Sequence, residues 1–285
     1  MAKQRLSGQR ALVTGASSGI GAELARRLAR EGANLVITAR REERLEALAQ
    51  ELRDAHGVDV RVVASDLADP AAPEALFAAT EGSDLAIDVL VNNAGFGAYL
   101  DFVDVDWSRY AGMLQVNMTA LTQLMHLFLP KMIERRHGYV MNVASTGAYL
   151  PCPTFAVYAA TKAYVRNLTE AVGYELRKTG VKAISVNPGP TRTEFMDHAN
   201  QKLKGLGEAG LMSAATCADI AVRKMLAGRR NVVTGFMNAL SMWVMRFIPR
   251  AMYPFLADVF MSAGVESVKP AALPAPSESK NLPGS

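Results

Sequence analysis

The sequence predicts a doubly wound α/β domain: a parallel sheet of about seven strands with helices on both faces. Short β-branched or apolar runs alternate with longer segments rich in Ala, Leu, Glu and Arg, and a glycine-rich turn follows the first run. Alternating strand and helix patterns imply βαβ units on a parallel sheet. The runs show little period-2 alternation, as expected of strands covered on both faces. In chain order the strands are read at 11–14, 35–38, 58–63, 89–92, 139–143 and 181–186, with a seventh at 231–234. Helical composition fills 21–31, 42–55 and 73–81 between them, and longer helices are expected at 107–136 and 154–179.

These elements form one domain over residues 7–235, with no linker and no repeat. Two regions depart from the pattern. Residues 194–213 carry Gly205, Gly207 and Gly210 with Lys202 and Lys204, which suits a mobile cover over a site. Residues 236–262 form an apolar extension rich in Met, Trp and Phe, punctuated by Arg246 and Arg250 and broken by Pro249 and Pro254. A substrate lid, an oligomer contact and a membrane-surface contact through 236–261 each account for that composition. From 263 to 285 the chain turns to Pro, Ser, Ala and Lys and is expected to be disordered.

Composition narrows the function. With 285 residues and 50% hydrophobic content the chain can bury a full core. The net charge is +4 and the basic residues are scattered, so no nucleic-acid partner is expected. Cys152 and Cys217 have no repeated spacing, which predicts reduced thiols and no metal site. A polar N-terminus and the lack of an 18-residue apolar run predict a cytoplasmic protein, soluble or lying on a membrane surface.

The turn after the first strand reads Thr14-Gly15-Ala16-Ser17-Ser18-Gly19-Ile20-Gly21. Small residues there let a backbone approach a pyrophosphate, whose charge the exposed N–H groups of the following helix would hold. The spacing is GxxxGxG, unlike the common GxGxxG. Residues 15–19 also satisfy GxSxG, the nucleophile elbow of α/β-hydrolases, but that elbow follows an oxyanion loop and precedes an acid and a His in a defined context. His126, His137 and His198 have no such context. At the end of the second strand stand Arg40 and Arg41 and no acid until Glu42. Arg40 can fork onto a ribose 2′-phosphate, with Ser17 adding a hydroxyl, which favours NADP(H) over NAD(H). Asp66, after the third strand, is placed either to touch an adenine edge or to cap a turn.

Tyr158 and Lys162 lie at i, i+4 at the start of a helix, so phenol and ammonium share a face. A neighbouring cation is expected to lower the tyrosine pKa, preparing a proton donor for a developing alkoxide. Ser145 follows the strand at 139–143, at the carboxyl edge where substrates bind in such sheets. Phe96, Tyr99, Leu100, Tyr149, Leu150, Pro151, Phe155, Phe195 and Met196 flank these motifs and suggest an apolar pocket. Cys152 reads as a packing residue, because no local cation or His activates it.

Taken together, residues 14–21 (TGxxxGIG), 92–95 (NNAG), Asn117, Ser145, Tyr158 with Lys162, and Pro188-Gly189 followed by Thr193 resemble the classical short-chain dehydrogenase/reductase family. The motifs occur in family order over 10–193. The resemblance implies a Rossmann-type fold to about residue 235, with Tyr158 as general acid and base and Ser145 holding the substrate oxygen. It implies that Lys162 binds the nicotinamide ribose and that Asn117 supports a water relay behind it. Asn92, Asn93, Ala94 and Gly95 would border the adenosine half. The backbone from Pro188 through Gly189 to Thr191, with the Thr193 hydroxyl, would hold the carboxamide. A homodimer or homotetramer through the helices at 107–136 and 154–179 is implied on the same basis. The expected function is NADP(H)-dependent interconversion of a ketone and a secondary alcohol, on an apolar substrate such as a long-chain ketoacyl, steroid-like or aromatic ketone. The alternatives are an NADP(H)-binding sensor with little turnover and nucleotide-sugar epimerase or dehydratase chemistry.

Overall fold

The computed structural model describes residues 4–83, 85–195, 199, 201–203 and 211–267. Strands β1 (Arg10–Thr14), β2 (Asn34–Ala39), β3 (Val60–Ala64), β4 (Val89–Asn92), β5 (Gly138–Val143), β6 (Val181–Asn187) and β7 (Asn231–Val233) form one parallel sheet in the order β7-β6-β5-β4-β1-β2-β3. From β1 the chain runs outward through β2 and β3, then returns to β4 and runs the other way. The reversal leaves a crevice beyond the carboxyl ends of β1 and β4, where ligands bind in open α/β sheets.

Both faces are covered. Helices α1 (Gly19–Arg30) and α2 (Glu42–His56) bury Leu24, Leu28, Leu45, Leu48 and Leu52 against Ala11, Val13, Leu35, Ile37, Val89 and Val91. On the opposite face α3 (Ala72–Ala78) contributes Leu76, packed against Leu12, Val36 and Leu90. Successive strand residues therefore alternate between two apolar layers, and the hydrophobic run is continuous in sequence.

The helix expected at 107–136 is not uniform. It consists of α4 (Trp107–Leu114), a π-helical turn at Gln115–Ala120, and α5 (Leu121–Glu134). Helix α6 (Ala156–Glu175) packs beside α5, and α7 (Ala214–Leu226) covers the first layer through Val222 and Met225.

Around the expected cover, Thr191–Arg192 pairs in parallel with Met212–Ser213, and the Ala199 carbonyl accepts from Tyr99 N at 3.0 Å. Gly205, Gly207, Gly210, Lys204, Met196 and His198 lie outside the described residues. The extension comprises α8 (Phe236–Val244), two 3-10 turns and α9 (Tyr253–Gly264). Beyond α9, Val265–Ser267 pairs antiparallel with Gln201–Leu203. Backbone pairing absorbs those residues despite their polar composition; 268–285 lie outside the described residues. Among the described residues no helix is long and apolar enough to cross a membrane.

The N-terminus is tied down by Glu31, whose carboxylate is buried and contacts Arg5 Nη2 at 2.9 Å and Arg27 Nη2 at 2.8 Å. The Arg5 hydrogen bond, with Arg27 adding to it, holds the Glu31 carboxyl down at about 2. A depressed carboxyl pKa stabilises the fold above the unfolded value and loses that contribution as pH falls through the folded one. Glu31→Gln is therefore expected to cost about 1–2 kcal/mol at neutral pH by chemical denaturation, allowing for the partly exposed Arg5. The difference from wild type should shrink below about pH 4; a cost independent of pH would refute this account.

Candidate active site

The glycine loop is held from beneath by Thr14. Its Oγ1 accepts from the backbone N of Asn93 and of Ala94, each at 3.0 Å, and donates to the Val91 carbonyl at 3.3 Å. The Asn93 side chain donates to the carbonyls of Thr14 (3.0 Å) and Gly15 (3.3 Å). Asn93 thus clamps the loop, a structural task that the resemblance did not imply. Gly15 has φ +67°, a region that L side chains rarely adopt, and a Cβ there would sit 2.9 Å from Ala94 Cα. A Cβ on Gly21 would overlap the Gly15 carbonyl oxygen. One on Gly19 would meet the Thr193 methyl at 3.1 Å. Ile20 packs on the core beneath.

Ser18 precedes α1 without capping it through its side chain. The loop's bare backbone and the start of α1 form a cradle of the kind that fits a dinucleotide pyrophosphate. The Ser17 Oγ accepts from Arg41 Nε and Nη2.

At the end of β2 stand the two arginines. Arg40 is exposed and its side chain has no partner among the described residues. Arg41 instead turns back over the loop: Nη2 donates to Ser18 Oγ at 2.8 Å and to Ser17 Oγ at 3.2 Å, and Nη1 pairs with Glu194 Oε2 at 2.9 Å. The two arginines are adjacent, and the bend from strand into α2 decides which one faces the loop. Asp66 Oδ1 accepts from Ala68 N at 3.0 Å, so the carboxylate caps its own turn.

The catalytic candidates converge at the carboxyl ends of β5 and β6. Ser145 follows β5; its Oγ accepts from Gly147 N at 3.0 Å, and a Cβ on Gly147 would meet both that oxygen (3.5 Å) and the Tyr158 ring (4.0 Å). Pro188, after β6, accepts from Thr146 N at 2.8 Å and braces the same turn. From α6, Lys162 Nζ donates to the Val143 carbonyl at 2.8 Å and lies 5.7 Å from the Tyr158 ring centroid.

Burial dominates both titrations. It pushes the Tyr158 phenol up to about 12, with the neighbouring Ser145 hydroxyl opposing, and pulls the Lys162 ammonium down to about 8. The desolvation of a buried phenolate is the largest influence on Tyr158.

Asn117 sits in the π-helical turn, a feature common at functional sites. Its Oδ1 accepts from Phe96 N at 3.1 Å, and its Nδ2 donates to the Phe96 carbonyl at 3.0 Å and to Thr161 Oγ1 at 3.1 Å. A Cβ on Gly95 would meet both Asn117 Oδ1 (3.0 Å) and Lys162 Nζ (3.2 Å), so Gly95 keeps these groups close. At the other end, the Thr191 hydroxyl donates to the Gly189 carbonyl at 2.9 Å, and Thr193 Oγ1 accepts from Phe195 N at 3.3 Å. Gly189 leaves no room for a side chain against Asn238 of α8, a neighbour with no sequence signal.

Around Tyr158 the surface is apolar. Phe155 stacks on its ring at 4.2 Å between centroids, Phe195 lies at 5.3 Å, and Tyr99, Tyr110, Met113 and Cys152 complete the cluster. Burial pushes the Cys152 thiol up to about 11, which fits a packing role. Ala257 of α9, only 1% exposed, joins this cluster, so the extension reaches the substrate side.

The family model for short chain dehydrogenases matches residues 9–204. The chain belongs to that family. A 7beta-hydroxysteroid dehydrogenase of Collinsella aerofaciens is 33% identical over 233 residues, covering 79% of this chain and 88% of that protein. A solved 7beta-hydroxysteroid dehydrogenase superposes with a TM-score of 0.81 at 29% identity, covering 90% of this chain and 99% of the other. A short-chain dehydrogenase from Sphingobium yanoikuyae in complex with NADPH gives 0.75 at 31% identity, with 85% and 97% covered. This short-chain dehydrogenase therefore carries the family's fold and its oxidoreductase chemistry on alcohol and ketone groups.

Proposed function

We propose that the protein is an NADP(H)-dependent reductase of apolar ketones, working reversibly on the corresponding secondary alcohols. The carrying observation is the convergence of Tyr158 with Ser145 across Gly147 and with Lys162, inside an apolar cluster. When bound, the nicotinamide supplies or accepts the hydride. The chain supplies the rest. The glycine cradle and the start of α1 hold the pyrophosphate, Arg41 with Arg40 reads the 2′-phosphate, and the 188–193 turn orients the carboxamide. Ser145 Oγ aligns the carbonyl oxygen, and Tyr158 donates its proton as alkoxide charge develops. A phenol that keeps its proton to about pH 12 is in the right state to donate. Lys162 then offsets the phenolate charge, and Asn117 supports proton resupply behind it.

A pH limb follows. Lys162 is charged below about 8 and neutral above, so the reduction rate should fall as pH rises through about 8. A rate flat across about pH 7 to 9 would remove the Lys162 charge from the mechanism.

The substrate class rests on the aromatic lining and on the hydroxysteroid relatives, which favour steroid-like, aromatic or long-chain ketoacyl substrates over sugars. A ketone panel graded in size and polarity, read by loss of NADPH absorbance beside NADH, tests the reading. Turnover confined to small polar ketones, or a preference for NADH, would refute it; NADPH binding with no turnover would favour a sensor.

The assembly is a homodimer or homotetramer across α5 and α6, where Met125, Leu129, Ile133, Leu168 and Val172 line an apolar groove. The burial of Ala257 favours the extension as a cover on the substrate side. Its outer stripe is exposed, with Phe236 at 79% and Phe247 at 71%. In liposome flotation the full-length protein is expected to stay in the soluble fraction; flotation would assign that stripe to a membrane surface.

A further inference from the structure

Glu194 links two walls of the cofactor crevice. It follows Thr193, whose methyl would meet a Cβ on Gly19, and its side chain reaches to the start of α2. Oε2 takes Arg41 Nη1 at 2.9 Å and Oε1 takes Arg44 Nη1 at 2.6 Å. Arg41 also donates to the glycine loop: Nε to Ser17 at 3.3 Å, and Nη2 to Ser17 and Ser18. Two guanidinium groups and two hydroxyls are thus gathered at the end of β2, around a single carboxylate. The hydrogen bonds from Arg44 and Arg41 hold that carboxyl at about 2, so it is ionised throughout the physiological range. Paired guanidinium groups and hydroxyls recognise a phosphate monoester as well as a carboxylate, and a phosphate carries more charge and more acceptor oxygens.

We propose that Glu194 is an internal stand-in for the 2′-phosphate, occupying the Arg41–Arg44 pair until the phosphorylated cofactor displaces it and thereby setting the strength of the NADP(H) preference. This rests on the NADP(H) reading above. NADP(H) binding carries the cost of breaking two ion pairs that NAD(H) binding leaves intact. Glu194 is thus a selectivity residue that acts against the favoured cofactor. Its side chain is about 40% exposed, so each pair contributes modestly.

The test is Glu194→Gln, a surface change whose melting temperature should match wild type, with Glu194→Asp as the charge-conserving control. NADPH, NADH, 2′,5′-ADP and inorganic phosphate are titrated against each by calorimetry. Glu194→Gln should tighten NADPH and 2′,5′-ADP about three- to tenfold, leave NADH unchanged, and be reversed in Glu194→Asp. Unchanged or weakened binding of 2′,5′-ADP overturns the proposal, as does an equal shift for NADPH and NADH. Inorganic phosphate displacing 2′,5′-ADP from Glu194→Gln at equal concentration would overturn it in favour of a free-anion site. Failure of the NADP(H) reading is separate: wild type would bind NADH as tightly as NADPH, and the 2′,5′-ADP arm would still decide Glu194.

Discussion

Tyr158→Phe lowers kcat for ketone reduction by about 10²- to 10⁴-fold while NADPH binds as before. The substitution removes one oxygen and leaves the ring that stacks on Phe155, so packing and the apolar cluster persist. What disappears is the phenolic proton that the proposed mechanism delivers to the carbonyl oxygen. Because the phenol is 8% exposed, a water molecule is poorly placed to replace it. NADPH titration by nicotinamide fluorescence beside steady-state rates separates the two effects. Retained turnover would remove Tyr158 from the chemistry, and lost binding would make it a cofactor anchor.

Gly21→Ala should weaken NADPH binding by at least about tenfold and lower stability by about 1–3 kcal/mol. The added methyl would overlap the Gly15 carbonyl oxygen and crowd the Asn93 amide at 2.5 Å, and neither can yield easily. Gly15 is pinned between Thr14 and the clamp from Asn93, so relief requires the whole turn to move. Moving the turn misaligns the cradle for the pyrophosphate. Gly57→Ala is the control, since Gly57 ends α2 in open space with a positive φ of 65°, so a methyl there strains the backbone without meeting a neighbour. It should cost stability without affecting NADPH affinity; equal affinity losses in the two variants would show that the loop geometry is not specific.

Much of this was legible in the sequence because the physics is local. Residues 11–13 and 35–37 alternate between two apolar layers, and a double layer writes itself as an uninterrupted apolar run. Ser145, Tyr158 and Lys162 stood out because a turn after a strand and one helical turn of spacing bring them together. Three features needed the fold. Arg40 and Arg41 are indistinguishable as neighbours, and only the path into α2 turns Arg41 onto Ser17 and Ser18. Glu194 lies far along the chain from Arg41, so its ion pair depends on crossing the crevice. The titration of Tyr158 depends on burial, which the i, i+4 position of Lys162 does not report. The π-helical turn at Asn117 was hidden for a related reason: Met113, Val116 and Ala120 keep an apolar face through it, and the extra residue leaves no composition signal.

These roles meet in one step, hydride transfer from NADPH to a ketone carbon with the proton supplied by Tyr158. The most direct measurement is isotope tracing with NADPH deuterated at the transferring C4 position, using the ketone turned over fastest in the panel. The account predicts one deuterium on the carbinol carbon of the alcohol formed by wild type, and no labelled alcohol above background from Tyr158→Phe. An unlabelled product, or labelled product formed equally by both proteins, would contradict it.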